Sequence, residues 1–175
     1  MVIRNVVASD AANYFKLRVQ SEEELPQFVG LSVERELAAG QEGISSLLSG
    51  YSTEGTIVLG AFEGGQLLGA LALSRKNSAK YRHKAFLWGM YIFPEYRGAG
   101  VAQALMQAAI AWAQEQPEII AITLQVTLSN IRGQQFYKRF GFTIFGTEQR
   151  SLFAAGQFHG VHYMELEVKA PQHAY

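Results

Sequence analysis

The chain has 175 residues, enough for one domain with a real hydrophobic core, and its 49% hydrophobic and 17% charged residues are the balance of a folded rather than a disordered protein. Fifteen basic side chains against fifteen acidic ones leave no net charge, which argues against a nucleic-acid binder. The absence of cysteine excludes disulfides, thiolate catalysis and thiolate metal sites.

Val2 to Val7 reads as a first strand. The N-terminus lacks a basic segment leading into a long apolar run, and no stretch of about 18 apolar residues follows, so the expectation is a cytoplasmic protein with no membrane span. Ser9 or Asp10 can cap a helix through about Gln20, with Tyr14, Leu17 and Arg18 on one side. Ser21 to Pro26, with Glu22, Glu23 and Glu24, reads as a loop or a helix end. Ser32 can cap a second helix, and Ile44 to Leu48 a short third one.

Thr56 to Phe62 and Leu67 to Ser74 read as strands joined by the hairpin signal Glu63-Gly64-Gly65-Gln66. Arg75 to Arg82 is a polar, basic loop. Ala85 to Phe93 is a strand ended by Pro94. Gly98 to Gln116 has helical spacing of Val101, Leu105, Ala108, Ala109 and Trp112, and Pro117 ends it. Ile119 to Leu128 is a buried strand. Ser129 or Asn130 caps a helix running to Arg139 or Phe140, with Gly141 as its stop. Thr143 to Arg150 and Val161 to Val168 are two last strands around a loop containing Ala154, Ala155, Gly156 and Gly160. The expectation is one mixed α/β domain over residues 1–170 and a frayed tail over 171–175.

The central unit is strand, glycine turn, helix, strand, helix. At Tyr96-Arg97-Gly98-Ala99-Gly100-Val101-Ala102 a helix begins with unpaired N–H groups and a positive dipole end, a site suited to an anion. Arg97 adds a charged fork. A P-loop would need a trailing Lys-Ser or Lys-Thr, and a dinucleotide fingerprint a third glycine where Gln103 stands. Arg97, Gly100 and Ala102 form instead the pattern Arg-x-x-Gly-x-Ala. A second motif follows in Asn130, Gly133, the pair Phe136-Tyr137, and Gly141-Phe142. Asn130 and Tyr137, seven apart, point the same way on a helix.

Together these motifs resemble the Gcn5-related N-acetyltransferases (GNAT), over nearly the whole chain. The runs from His83 to Gly100 and Phe158 to Met164 look like a bacterial branch with mostly unassigned substrates. Gly133 stands where the family usually has alanine, a departure that should cost the helix on the order of 1 kcal/mol. The resemblance implies a mostly antiparallel twisted sheet of about seven strands flanked by helices, whose fourth and fifth strands splay apart, with Gly89 starting the splay as a bulge. It implies acetyl-CoA as cosubstrate, and no metal. The pantetheine arm would lie along Tyr91, Ile92 and Phe93, the pyrophosphate on Arg97, Gly98, Ala99, Gly100, Val101 and Ala102, and Asn130 would contact the arm. Tyr137 would act as general acid toward the leaving thiolate, and a backbone N–H of the fourth strand would hold the oxyanion.

The expected reaction is direct transfer, in a ternary complex, to a primary amine of a small molecule. A protein N-terminal or lysine acetyltransferase and a non-catalytic acyl-CoA-binding module remain alternatives. The general base stays open among Glu22, Glu23, Glu24, His83, His159, His162 and water. The basic stretch of Arg75, Lys76, Lys80, Arg82, His83 and Lys84 is either a solvated loop or an attractor for the coenzyme 3′-phosphate or for an anionic acceptor. The expected partners are a small amine, not nucleic acid or membrane, and the expected state is a monomer or homodimer.

Overall fold

The computed structural model describes residues 1–27, 32–75 and 78–169; Lys76, the 171–175 tail and the side chain of Ser32 lie outside the described residues. One seven-stranded sheet runs β1-β2-β3-β4-β5-β7-β6. Its strands are β1 (Val2–Asn5), β2 (Thr56–Glu63), β3 (Gln66–Arg75), β4 (Lys84–Ile92), β5 (Ala121–Thr127), β6 (Thr143–Ala154) and β7 (Gln157–Glu167). Among the described residues only β4 and β5 run parallel, because the helix α3 (Val101–Glu115) carries the chain back between them. No helix among the described residues is long and apolar enough to cross a membrane.

The central strands are buried on both faces, so β3 reads as a nearly unbroken apolar run. On one face α3 packs Leu105, Met106 and Ala109 against Leu71, Leu73, Leu87 and Ile122. On the other, α1 (Ala11–Glu24) and α2 (Ser32–Thr53) pack Tyr14, Leu17, Ile44 and Tyr51 against Val58, Ala70 and Ala72. A fourth helix, α4 (Ile131–Arg139), follows β5.

Several boundaries differ from the sequence expectation. The acidic stretch at 21–24 is the last turn of α1. The span Ser32–Thr53 holds the two helices expected after Ser32, broken where Gly40 takes the non-helical φ 65° and ψ 178°, and the second runs beyond Leu48. Asp10 does not cap α1 with its side chain. It is held instead by Arg4 at 2.7 and 2.9 Å and accepts the Val7 N–H at 3.0 Å. The helix expected from Gly98 begins at Val101, because Gly98 and Gly100 sit at φ 81° and 80°. The loop expected between the last strands is only Ala155 and Gly156, both left-handed, and Gly160 lies inside β7. A Cβ at Gly160 would fall 2.8 Å from the Glu148 carbonyl oxygen, so this glycine serves close approach of strands rather than a turn.

α1 and α2 are joined by a buried ion pair. Arg18 and Glu36 have side chains 1% and 0% exposed, with Nε 2.8 Å from Oε2. Tyr14 and Tyr51 each donate a hydroxyl to Glu36 Oε1 at 2.8 Å, and the Tyr14 oxygen accepts from Arg18 Nε and Nη2. Removing one member leaves a buried charge without its partner. Glu36→Leu should therefore cost about 3–5 kcal/mol in denaturant unfolding, and adding Arg18→Met should recover much of that loss. A double variant as unstable as the single would contradict this account of the pair.

Candidate active site

Parallel pairing of β4 with β5 covers only Lys84 to Leu87 against Ala121 to Leu124. Beyond it the strands part, and the gap becomes a cavity of about 110 Å³. Its β4 side is Trp88, Gly89, Met90 and Tyr91, and its β5 side Gln125, Val126 and Thr127. Arg18, Ser21 and Leu25 close it from α1, while Asn130 and Tyr137 close it from α4.

The parting begins at a bulge. Trp88 faces Ala72 and Tyr91 faces Ala70, so Gly89 and Met90 together oppose one residue of β3. Gly89 has φ 61°, and its carbonyl oxygen accepts from Arg18 Nη1 at 2.5 Å. A Cβ at Gly89 would fall 2.5–2.9 Å from the Arg18 guanidinium. The buried ion pair of α1 and α2 therefore ends on the bulge that opens the cleft.

Tyr137 packs its ring against Phe136 and Phe142. Its hydroxyl donates to Met90 Sδ at 3.8 Å, a weak sulfur acceptor across the cleft. Burial pushes the phenol up to about 12. Asn130 Oδ1 accepts the Gly133 N–H at 2.8 Å and caps α4. A Cβ at Gly133 would lie 2.7–2.9 Å from this amide, so alanine here would have to shift the Asn130 side chain. The cap contributes about 1 kcal/mol, comparable to the propensity lost with glycine.

The glycine turn lies past the end of β4, after a 3₁₀ turn at Pro94–Tyr96. The first i→i−4 bond of α3 is Ala104 N–H to the Gly100 carbonyl, so the N–H groups of Val101, Ala102 and Gln103 precede the helical ladder. Gly98 and Gly100 have open space where a Cβ would stand, and their positive φ, not crowding, calls for glycine. Such a turn fits a pyrophosphate. Of the strand residues expected to meet the coenzyme arm, Tyr91 lines the cleft, whereas Ile92 and Phe93 are buried in the core. The Ile92 carbonyl accepts Arg97 Nε at 3.0 Å, and the Phe93 N–H goes to the Leu68 carbonyl. The Arg97 fork holds Glu24, at 2.6 and 2.9 Å.

The base candidates are scattered. Glu24 is engaged by Arg97 and Tyr91. Glu22 is pushed up by burial and by nearby Glu34. His159 meets the Ala154 carbonyl and His162 meets Thr147, both in the last hairpin. None of these residues, nor Glu23 or His83, lines the cleft. Arg75 and Arg82 share Glu118, near the start of β4, and a nine-residue strand separates them by roughly 30 Å from the phosphate turn. These two arginines are paired surface residues, and their place disfavours the 3′-phosphate reading.

Sequence reasoning missed the roles of four participants. Glu36 sits in an ordinary polar helix pattern, and Arg18 stood out only as a charge on the apolar side of α1 with Tyr14. Thr127 carries a buried hydroxyl with no partner among the described residues, at the cleft. Gln134 gives its amide to the Thr127 and Leu128 carbonyls at 3.1 and 3.0 Å, satisfying the end of β5.

Solved structures share this fold, and curated relatives match part of the chain. Over 100 residues, 57% of this chain and 61% of the relative, the chain is 27% identical to the L-amino acid N-acetyltransferase AaaT of Escherichia coli. It is 32% identical over 107 residues, 61% of this chain and 64% of the relative, to an uncharacterized N-acetyltransferase of Mycobacterium tuberculosis. The matches thus span less than two thirds of these curated relatives. Among solved structures, a GNAT-family acetyltransferase of Streptococcus pneumoniae superposes with a TM-score of 0.82 at 24% identity, covering 96% of this chain and 99% of that one. A putative acetyltransferase of Salmonella typhimurium, solved with acetyl-CoA, gives 0.83 at 16% identity, covering 100% and 96%. The profile of the Acetyltransferase (GNAT) family matches residues 22–142, and the chain belongs to that family.

Proposed function

We propose that the chain transfers an acetyl group from acetyl-CoA to a primary amine of a small molecule, directly and within a ternary complex. The observation that carries this reading is the cleft between β4 and β5, with Tyr137 on one side and α1 on the other. The likeness over part of the chain to an L-amino acid N-acetyltransferase supports a small acceptor over a peptide.

The turn at 98–102 would hold the pyrophosphate through backbone N–H groups and the α3 dipole. The cleft would take the pantetheine arm, and the bound coenzyme would supply the acetyl thioester. The bulge at Gly89 and Met90 frees backbone from the β3 ladder, and Arg18 fixes its direction, as an oxyanion donor requires. Tyr137 keeps its proton at neutral pH and can donate it toward sulfur. A free thiol is near 8.5, so outright loss of the phenol proton to a thiolate is uphill. Tyr137 therefore acts best as a relay that, as the C–S bond breaks, gives its proton to sulfur and regains one from the ammonium that the attacking amine has become in the tetrahedral intermediate. The Thr127 hydroxyl is available to a polar group in the cleft.

A panel of small amines, amino acids and N-terminal peptides, followed by release of free CoA thiol, tests the function. Turnover is expected with small amines or amino acids; a protein that binds acetyl-CoA yet releases no thiol above hydrolysis would contradict the proposal.

Tyr137→Phe should lower kcat about 10²–10⁴-fold while changing the CoA Kd less than about twofold. Because the raised phenol stays protonated up to about pH 12, kcat should show no alkaline limb from Tyr137 across pH 6–10. A rise of kcat/KM with pH then reports the acceptor amine or a general base losing its proton, not Tyr137. An alkaline limb below pH 10 that vanishes in Tyr137→Phe would contradict this role.

Gly89→Ala must move either the bulge or the Arg18 guanidinium. It should lower kcat about a hundredfold or more, with α1 and α2 still folded by circular dichroism. Unchanged kcat would separate the bulge from the chemistry.

A further inference from the structure

The last turn of α1 poses an electrostatic problem. Glu22, Glu23 and Glu24 crowd the C-terminal end of a helix, where the dipole is already negative, and no basic residue lies in that turn. The compensating charge comes from 73 residues away. Arg97, the first residue of the phosphate-turn motif, grips Glu24 with both ends of its fork. Tyr91 donates its hydroxyl to Glu24 Oε2 at 2.5 Å, and its ring lies 5.3 Å from the Arg97 guanidinium carbon. Arg97 Nε is tied to the Ile92 carbonyl, which fixes the plane of the guanidinium. These bonds hold Glu24 below the usual carboxylate range, chiefly through Arg97 and then Tyr91.

Three of the five N–H groups of Arg97 are thus committed, and its charge is met by one carboxylate. The phosphate-binding task then falls to the turn itself, whose N–H groups at 101–103 precede the helical ladder. Glu24 also sits where the strap matters. Ser21, one turn earlier, and Leu25, the next residue, both line the cleft. The bridge therefore connects the coenzyme turn to the part of α1 that lines the cleft.

We propose that Arg97 and Glu24 are positioning residues: Arg97 does not read phosphate but straps the end of α1 to the coenzyme turn, so that coenzyme docking sets the acceptor side of the cleft. This rests on the acetyl-CoA reading of the turn and adds a division of labour within it. The backbone binds the coenzyme, and the Arg97–Glu24 pair carries the consequence across to α1. The alternative is that Glu24 is a stand-in anion that phosphate displaces from Arg97.

CoA itself is the probe, in calorimetric titrations and amide hydrogen exchange of the full chain and of Glu24→Gln, Arg97→Gln and the double variant. In the parent chain CoA should slow exchange both at 98–104 and at 20–25, each by about tenfold or more. In each variant, protection at 98–104 should persist and the CoA Kd should change less than roughly threefold. Protection at 20–25 should be lost equally in the two single variants, with no further loss in the double. A CoA Kd raised more than about tenfold by Arg97→Gln and lowered by Glu24→Gln would overturn the strap in favour of phosphate reading by Arg97. Additive losses at 20–25 would overturn it as well. No CoA binding by the parent chain would instead overturn the coenzyme reading itself.

Discussion

The structure depends on one guanidinium. Arg18 is fully buried, its charge balanced by Glu36, its remaining donors turned to Tyr14 and to the Gly89 carbonyl. Burying an ion pair is rarely the cheapest way to stabilise a protein, since apolar residues of the same volume often do as well. What an arginine adds here is direction. Its planar fork reaches from α1 to a carbonyl that the bulge has turned out of the β3 ladder, and it occupies the volume where any side chain on residue 89 would stand. The glycine, the bulge and the arginine specify one another.

From that point the sheet opens. A parallel pair at the centre of an otherwise antiparallel sheet is held by four register pairs and then released. The released edges carry backbone groups that would cost free energy if left dry, so the cleft is a place where an extended polar ligand can complete a sheet. α3 starts at the end of the same strand, which sets an anion site in line with the gap, and α4 brings Tyr137 to it from the far side. The two motifs lie a strand and a helix apart in sequence and close on one cavity in space.

Much of this was legible in the sequence because it is local. The glycine turn, the Asn130 cap and the Asn130–Tyr137 spacing are each contained within one turn or one helix, where backbone conformation and 3.6-residue periodicity govern. Gly89 stood out because glycine in an apolar strand signals a bulge or a close approach. The rest depends on partners far apart in the chain. Nothing near Glu36 announces that it will neutralise Arg18, and nothing near Glu24 announces Arg97. Gly160 misled for the same reason: it was read as loop chemistry, yet it serves contact with the Glu148 carbonyl on the neighbouring strand. The acceptor side is legible least, since a polar surface helix pattern does not say which of its residues will face a cleft.

The most direct measurement is a crystal structure of the chain with coenzyme A. The account predicts the pyrophosphate on the backbone N–H groups of residues 98–102, the arm between β4 and β5, and the sulfur within hydrogen-bonding reach of the Tyr137 hydroxyl. A coenzyme whose sulfur lies outside the cleft, away from Tyr137 and the Gly89 bulge, would contradict it.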